Sequence, residues 1–216
     1  MPQAVYAGTM NASAPLAFAL DDPFAAIVFD CDGTLVDTAP IHLLAVNEAM
    51  LPNGLAMSPS WYYLRVGLTP DALFSEYERD HNVTLDVPAI TARYVPSFLA
   101  NLHQLQEIKV VADVARHYHG RIPMAIGSNG RLGNVEASLK ATGLLSLFDT
   151  IVTAEQVPHG KPAPDVYLEA ARRLDVAPEF CIVFEDTDEG LEAAHRAGMR
   201  GLDIRKAYQP EWMAQL

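Results

Sequence analysis

The sequence predicts an α/β fold: a doubly wound parallel (Rossmann-like) sheet with an inserted helical cap subdomain. Three observations carry this. Apolar runs recur without polar alternation, FAAIVF at 24–29, RIPMAIGS at 121–128 and FCIVFED at 180–186, as expected of strands covered on both faces. From about residue 108 such runs alternate with helical patterns in short units. The stretch after the first run instead carries helical spacing broken by Pro and Gly, with no strong strand signal.

Taken in order, FAAIVF is the first strand, and TAPIHLLAVNEAM (38–50) opens a helix with Thr38 as N-cap and Pro40 in its first turn. DALFSEYERDH (71–81) and AITARYVPSFLANLH (89–103) follow as helices of the insert. KVVADVARHYH (109–119) leads through Gly120 into the strand that ends at Ser128, and NVEASLKAT (134–142) closes at Gly143, which suits a C-cap. TIVTAEQV (150–157) is a strand, DVYLEAARRL (165–174) a helix, FCIVFED a strand, DEGLEAAHRAG (188–198) a helix and MRGLDIR (199–205) the last strand. The domain reading is an N-terminal extension over 1–22, a core of 23–39 and 106–216, and a cap of 40–105. Ligands bind at the carboxyl ends of strands in such sheets, and the cap is expected to lie over them. The sequence shows no internal repeat and no low-complexity segment.

Composition narrows the function. The 216 residues, 50% hydrophobic, suffice for one core, or one core with a small subdomain. A net charge of −12 argues against a nucleic-acid binder, which needs clustered Lys and Arg. Cys31 and Cys181 give neither a disulfide framework nor metal spacing, so a reducing, cytoplasmic setting is expected. No apolar run approaches the ~18 residues needed to span a bilayer, so no membrane partner is expected.

The stretch FDCDGTLVDT (29–38) sets two aspartates, Asp30 and Asp32, at the end of the first strand. Ser128 ends another strand, Glu185 and Asp186 end a third, and Lys161 lies in the loop after a fourth. In a parallel sheet these ends share one rim, which gathers four carboxylates, a hydroxyl and a lysine. Clustered carboxylates are costly unless a cation or proton neutralises them. Oxygen ligands without His or Cys suit Mg²⁺, which takes one or two carboxylates and a phosphate oxygen. Such a rim suits phosphoryl transfer, with an aspartate as nucleophile and a second moving protons.

DCDGTLVDT resembles the first motif of the haloacid dehalogenase superfamily. Ser128 in AIGSNG, Lys161 in GKPAPDVY and FEDTDEGLEAAHRAGM (184–199) match its second, third and fourth motifs, in order, over nearly all of the chain after residue 22. The resemblance implies roles. Asp30 is the nucleophile and a Mg²⁺ ligand. Asp32 is the general acid/base, with its backbone carbonyl on the metal. Ser128 and the following amides hold the phosphoryl oxygens, and Lys161 bridges nucleophile and phosphoryl group. Asp186 ligates Mg²⁺ directly, and Glu185 directly or through water. Asp188 stands at most in the outer shell. Dehalogenating members lack the second aspartate, so Asp32 favours phosphoryl transfer. Gly33 gives the backbone freedom to turn, and with Thr34 it is expected near the substrate. Cys31 is expected to pack on the opposite face.

The resemblance is nearest to the β-phosphoglucomutase-like subgroup and to fructose-1-phosphate phosphatase-like proteins within it. It implies a Mg²⁺-dependent phosphatase acting on a small phosphorylated metabolite such as a sugar phosphate, through an aspartyl phosphate, as a monomer or small homo-oligomer. The alternatives are a phosphohexomutase, a phosphoglycolate-type phosphatase and, outside the enzymes, an inactive phosphometabolite-binding relative. A mutase needs a second phosphate site, usually an arginine after a Gly–apolar–Ser/Thr turn. Here that turn, RVGLTPD, carries Pro70 instead. In the cap and rim, His42 either reaches the substrate or Asp32, or is structural. Arg65, Arg93 and Asn129 are candidates for substrate hydroxyls or a distal charge, with a solvated surface as the other reading for the arginines. Trp61, Tyr62 and Tyr63 either line a sugar face or pack between helices.

Overall fold

The computed structural model describes Phe18, Leu20 and residues 23–215. The extension expected over residues 1–22 therefore lies outside the described residues, apart from those two positions. The strands are β1 (Ala26–Phe29), β2 (Val36–Asp37), β3 (Gln106–Glu107), β4 (Met124–Ser128), β5 (Thr150–Thr153), β6 (Cys181–Glu185) and β7 (Arg200–Asp203). The helices are α1 (Ala39–Met50), α2 (Pro59–Tyr63), α3 (Pro70–His81), α4 (Val87–Asn101), α5 (Lys109–Tyr118), α6 (Leu132–Ala141), α7 (Asp165–Leu174) and α8 (Asp188–Arg196).

Five strands form a parallel sheet in the order β5-β4-β1-β6-β7. Strand β1 sits in the middle because every residue of AIVF is apolar and can be covered on both faces; all four are fully buried. The chain runs from β1 to β4 and β5 on one side, then crosses to β6 and β7 on the other. The order thus reverses between β1 and β6, where a doubly wound sheet leaves its crevice. On one face Ala26, Val28, Ala125, Val152 and Val183 pack with Val166, Tyr167 and Ala170 of α7 and Ala193 and Ala194 of α8. Acidic residues open α7 and α8 and basic ones close them, complementing the helix dipoles.

Contacts divide the chain into two compact units. One holds the described residues through Asp37 together with Gln106–Gln209. The other is helical and holds Thr38–Leu105 and the chain from Pro210 onward. In the helical unit α1 packs along α4, and Thr69 caps α3 by accepting from the Ala72 amide, with Pro70 as its first residue. Tyr63 of α2 stacks on Trp212 with ring centroids 4.6 Å apart.

Several features differ from the sequence reading, among them the early ends of β5 at Thr153 and β7 at Asp203, each followed by a 3-10 turn. Pro210 onward groups with the helical unit, because Trp212 finds its partners there. Thr38 precedes α1 but has helical backbone angles, so its side chain makes no capping bond. Antiparallel β2 and β3 pair over only two residues each, with Val36 opposite Glu107. Helix α2 has five residues, too few to show a period. No helix among the described residues is long and apolar enough to cross a membrane.

Both cysteines are buried, Cys31 at 0% and Cys181 at 1% exposure. Burial pushes the Cys31 thiol well above its usual range and the Cys181 thiol up to about 12. Neither should react with a disulfide-exchange reagent in the native protein near neutral pH, and both should react once guanidinium unfolds it. A native titre of one thiol or more would contradict this packing.

Candidate active site

The central ladder carries Asp30 into place. Its amide donates to the Phe184 carbonyl at 3.0 Å, so the pairing of β1 with β6 runs through the acid itself. The chain then turns tightly, with the amides of Leu35 and Val36 donating to the Cys31 carbonyl. Gly33 makes the turn possible. Its φ is +89°, and a Cβ there would stand 2.3 Å from Asp186 Oδ2. The next residue, Thr34, is fully buried and donates its hydroxyl to Asp186 Oδ1 at 2.7 Å. The turn after β1 thus holds the acid that follows β6.

Lys161 reaches this point from the loop before α7. Its ammonium lies 2.6 Å from Asp30 Oδ1 and 2.6 Å from Glu185 Oε1, and its side chain is only 4% exposed. Glu185 ends β6 and is saturated by donors. Oε1 also accepts from Tyr167 at 3.0 Å, while Oε2 accepts from the amides of Asp186 and Thr187 and the Thr187 hydroxyl. That carboxylate presses into the start of α8, where a Cβ on Gly190 would stand 1.7 Å from Oε1. Ser128, the last residue of β4, accepts from the Gly130 amide at 2.9 Å. Its Oγ lies 3.5 Å from Asp32 Oδ2, long for a hydrogen bond.

The electrostatics follow from one ammonium among several acids. Burial would lower the Lys161 pKa, but Asp30 and Glu185 outweigh it and hold the ammonium well above its usual range. Burial works to raise Glu185 too, yet Lys161 and the Thr187 donors hold it below the ordinary range. Asp30 stays well above that range, since burial, aided by the neighbouring acids, exceeds the pull of Lys161. Asp186 is pushed up to about 7 by burial and then by the charge of Glu185. Two buried carboxylates are therefore left short of compensation. Carboxylate oxygens of Asp30, Glu185 and Asp186 lie within 4.8 Å of one another. An all-oxygen donor set beside uncompensated negative charge fits a hard divalent cation.

The structure therefore brings together Asp30, Asp32, Gly33, Thr34, Ser128, Asn129, Lys161, Glu185 and Asp186 within one unit. Asn129 faces the Lys161 backbone, accepting from its amide at 2.8 Å and donating to its carbonyl at 3.1 Å. His42, Arg65 and Arg93 belong to the helical unit, and each has partners there. His42 bonds the Tyr94 hydroxyl through Nδ1 and stacks on Phe98 at 4.9 Å. Arg65 pairs with Glu76 and Asp80 and lies 4.0 Å above the Trp61 ring. Arg93 donates to the Ala49 carbonyl and to Asn53. Each of the three side chains thus has protein partners within the helical unit. Tyr62 and Tyr63 are buried among the helices, and Trp61 packs edge-on against Tyr77. The sequence reading missed Tyr167 and Thr187 as holders of Glu185, and Thr34 as the holder of Asp186. A hydroxyl-bearing residue on an otherwise apolar helix face was the available signal for Tyr167.

The family model described as haloacid dehalogenase-like hydrolase matches residues 27–204. The chain belongs to that family. Among characterised relatives, fructose-1-phosphate phosphatase YqaB of Escherichia coli (strain K12) is 36% identical over 192 residues, spanning 84% of this chain and 97% of the relative. Protein CbbY of Cereibacter sphaeroides is 32% identical over 192 residues, spanning 81% of each chain. The crystal structure of CbbY from Rhodobacter sphaeroides in complex with phosphate matches with a TM-score of 0.71 at 29% identity, covering 82% of this chain and 84% of that one. As a haloacid dehalogenase-like hydrolase, the chain is an enzyme of the phosphatase type.

Gly190→Ala tests the seat of Glu185. The clash falls on a carboxylate fixed by five donors, so overpacking should cost ~1–3 kcal/mol, read as a lower midpoint in urea. An unchanged midpoint would show that Glu185 is not held there.

Proposed function

We propose that this chain is a Mg²⁺-dependent phosphatase of a small sugar phosphate, of the fructose 1-phosphate kind, working through a phosphorylated Asp30. The carrying observation is the Lys161 ammonium 2.6 Å from both Asp30 and Glu185, beside carboxylates that can share one cation. Mg²⁺ would be held by Asp30, Asp186 and the Asp32 backbone carbonyl, with Glu185 direct or through water, and would offset the charge of the phosphoryl oxygens.

The side chains perform the rest. Asp30 attacks phosphorus, and the bond to the sugar oxygen breaks as Asp32 gives that oxygen a proton. Water then attacks the aspartyl phosphate while Asp32 takes its proton, and the Asp30–phosphorus bond breaks to release inorganic phosphate. Lys161, Ser128 and the amides after it carry the charge on the transferring group.

Hydrolysis is favoured over a mutase reaction by the helical unit. A mutase must grip a bisphosphate at both ends. Here Pro70 follows the Gly67–Leu68–Thr69 turn and opens α3, while Arg65 and Arg93 are engaged by neighbours. The sugar-phosphate substrate class is supported by the likeness to the Escherichia coli fructose-1-phosphate phosphatase.

Two outcomes are expected. Fructose 1-phosphate with Mg²⁺ should release phosphate steadily, and excess chelator should stop it. Conversion of β-glucose 1-phosphate to glucose 6-phosphate with little free phosphate would sink the reading. Asp30→Asn should lower kcat by about 10³-fold or more while the protein remains folded at the assay temperature. An active Asp30→Asn protein would overturn the nucleophile assignment.

A further inference from the structure

We propose that Asn129 is a positioning residue for Lys161, not a substrate ligand; the inference rests on the phosphatase reading above. Lys161 has an unusual task. Its backbone lies in a loop, yet its ammonium must end among buried carboxylates at the end of a flexible four-carbon stem. Fixing the ammonium requires fixing the point where the stem begins.

Asn129 fixes it from both sides of one residue. Its Oδ1 accepts the Lys161 amide at 2.8 Å and its Nδ2 donates to the Lys161 carbonyl at 3.1 Å. The side-chain amide thereby copies the pairing of a strand neighbour across 32 positions of sequence. The loop is shaped to receive it. A Cβ on Gly160 would stand 2.7 Å from Asn129 Oδ1, so the residue before the lysine has to be small for the amide to approach. The far side of the loop is braced as well, with Arg196 of α8 donating to the Pro162 carbonyl at 3.3 Å.

The anchor of the clamp is equally fixed. Asn129 follows Ser128, the last residue of β4, whose hydroxyl takes the Gly130 amide. Ser128 and Lys161, which act on the same phosphoryl group in the proposed reaction, are therefore set in register by one side chain. A displacement of the loop by about 1 Å would shift the ammonium from its two 2.6 Å contacts, and misplacements of that size cost on the order of 10²-fold in rate.

The test is Asn129→Ala, with Gly160→Ala as an independent way to push the amide off. Both variants should remain folded at the assay temperature, with a single cooperative thermal transition whose midpoint lies well above it. With Mg²⁺, kcat should fall between about 10-fold and 10²-fold in each, with KM little changed. The fall should be equal for fructose 1-phosphate, other sugar phosphates and p-nitrophenyl phosphate, because Lys161 serves the phosphoryl group whatever leaves. The double variant should be no worse than Asn129→Ala, since both remove the same contact. The Lys161 amide should exchange with solvent at least about 10-fold faster in Asn129→Ala. An unchanged kcat would overturn the proposal, as would a raised KM confined to sugar esters, which would make Asn129 a sugar ligand. If the wild-type protein hydrolyses no ester, the phosphatase reading fails instead. Unchanged Lys161 exchange in Asn129→Ala would then still refute the clamp, and faster exchange would still uphold it.

Discussion

The catalytic unit depends on the buried ammonium of Lys161. Burying Asp30, Glu185 and Asp186 side by side would cost several kcal/mol per unpaired ion, and such a group stays charged where opposite charge or hydrogen-bond donors come close. Lys161 does this for Glu185 and in part for Asp30. It does not balance the cluster. Burial therefore favours the protonated forms of Asp30 and Asp186, and a bound cation would favour their charged forms.

Such a cluster also demands space at the backbone level. The turn at Gly33 lies so near Asp186, and the start of α8 so near Glu185, that a single added carbon would overlap a carboxylate oxygen. The acids are thus held by close backbone approach as much as by hydrogen bonds. Thr34 of the same turn and Tyr167 of helix α7 complete this arrangement. Three separate stretches of chain therefore fix one small volume, which suits chemistry that tolerates little displacement.

Much of this was legible in the sequence, for a physical reason. The apolar runs of β1, β4 and β6 are continuous because both faces are covered, and the polar residues of the site stand at their ends or immediately after them. DVYLEAARRL coincides with α7 because its apolar positions follow a helical period. What was not legible depends on distant partners. Thr34 bonds an acid 152 positions away, and nothing local in GTLVD marks that. Asn129 stands beside Ser128 and so reads as a substrate contact, whereas its partner lies in another loop. Strands β2 and β3 pair over two residues each, too short for a pattern. Thr38 has the right chemistry for a cap but the wrong backbone angles to use it.

Trp212 has a consequence for how the protein can be taken apart. The helical unit is not one continuous insert, because the chain comes back to it at Pro210 after completing the sheet. Tyr63, on α2, shares its stacking face with that returning segment. A chimera that exchanges only residues 38–105 with a relative would leave Trp212 behind. The grafted module would then meet a foreign aromatic residue, and the excised one would carry a bare ring face. The smallest exchangeable module of this enzyme is thus discontinuous, with three junctions where the sequence alone suggests two.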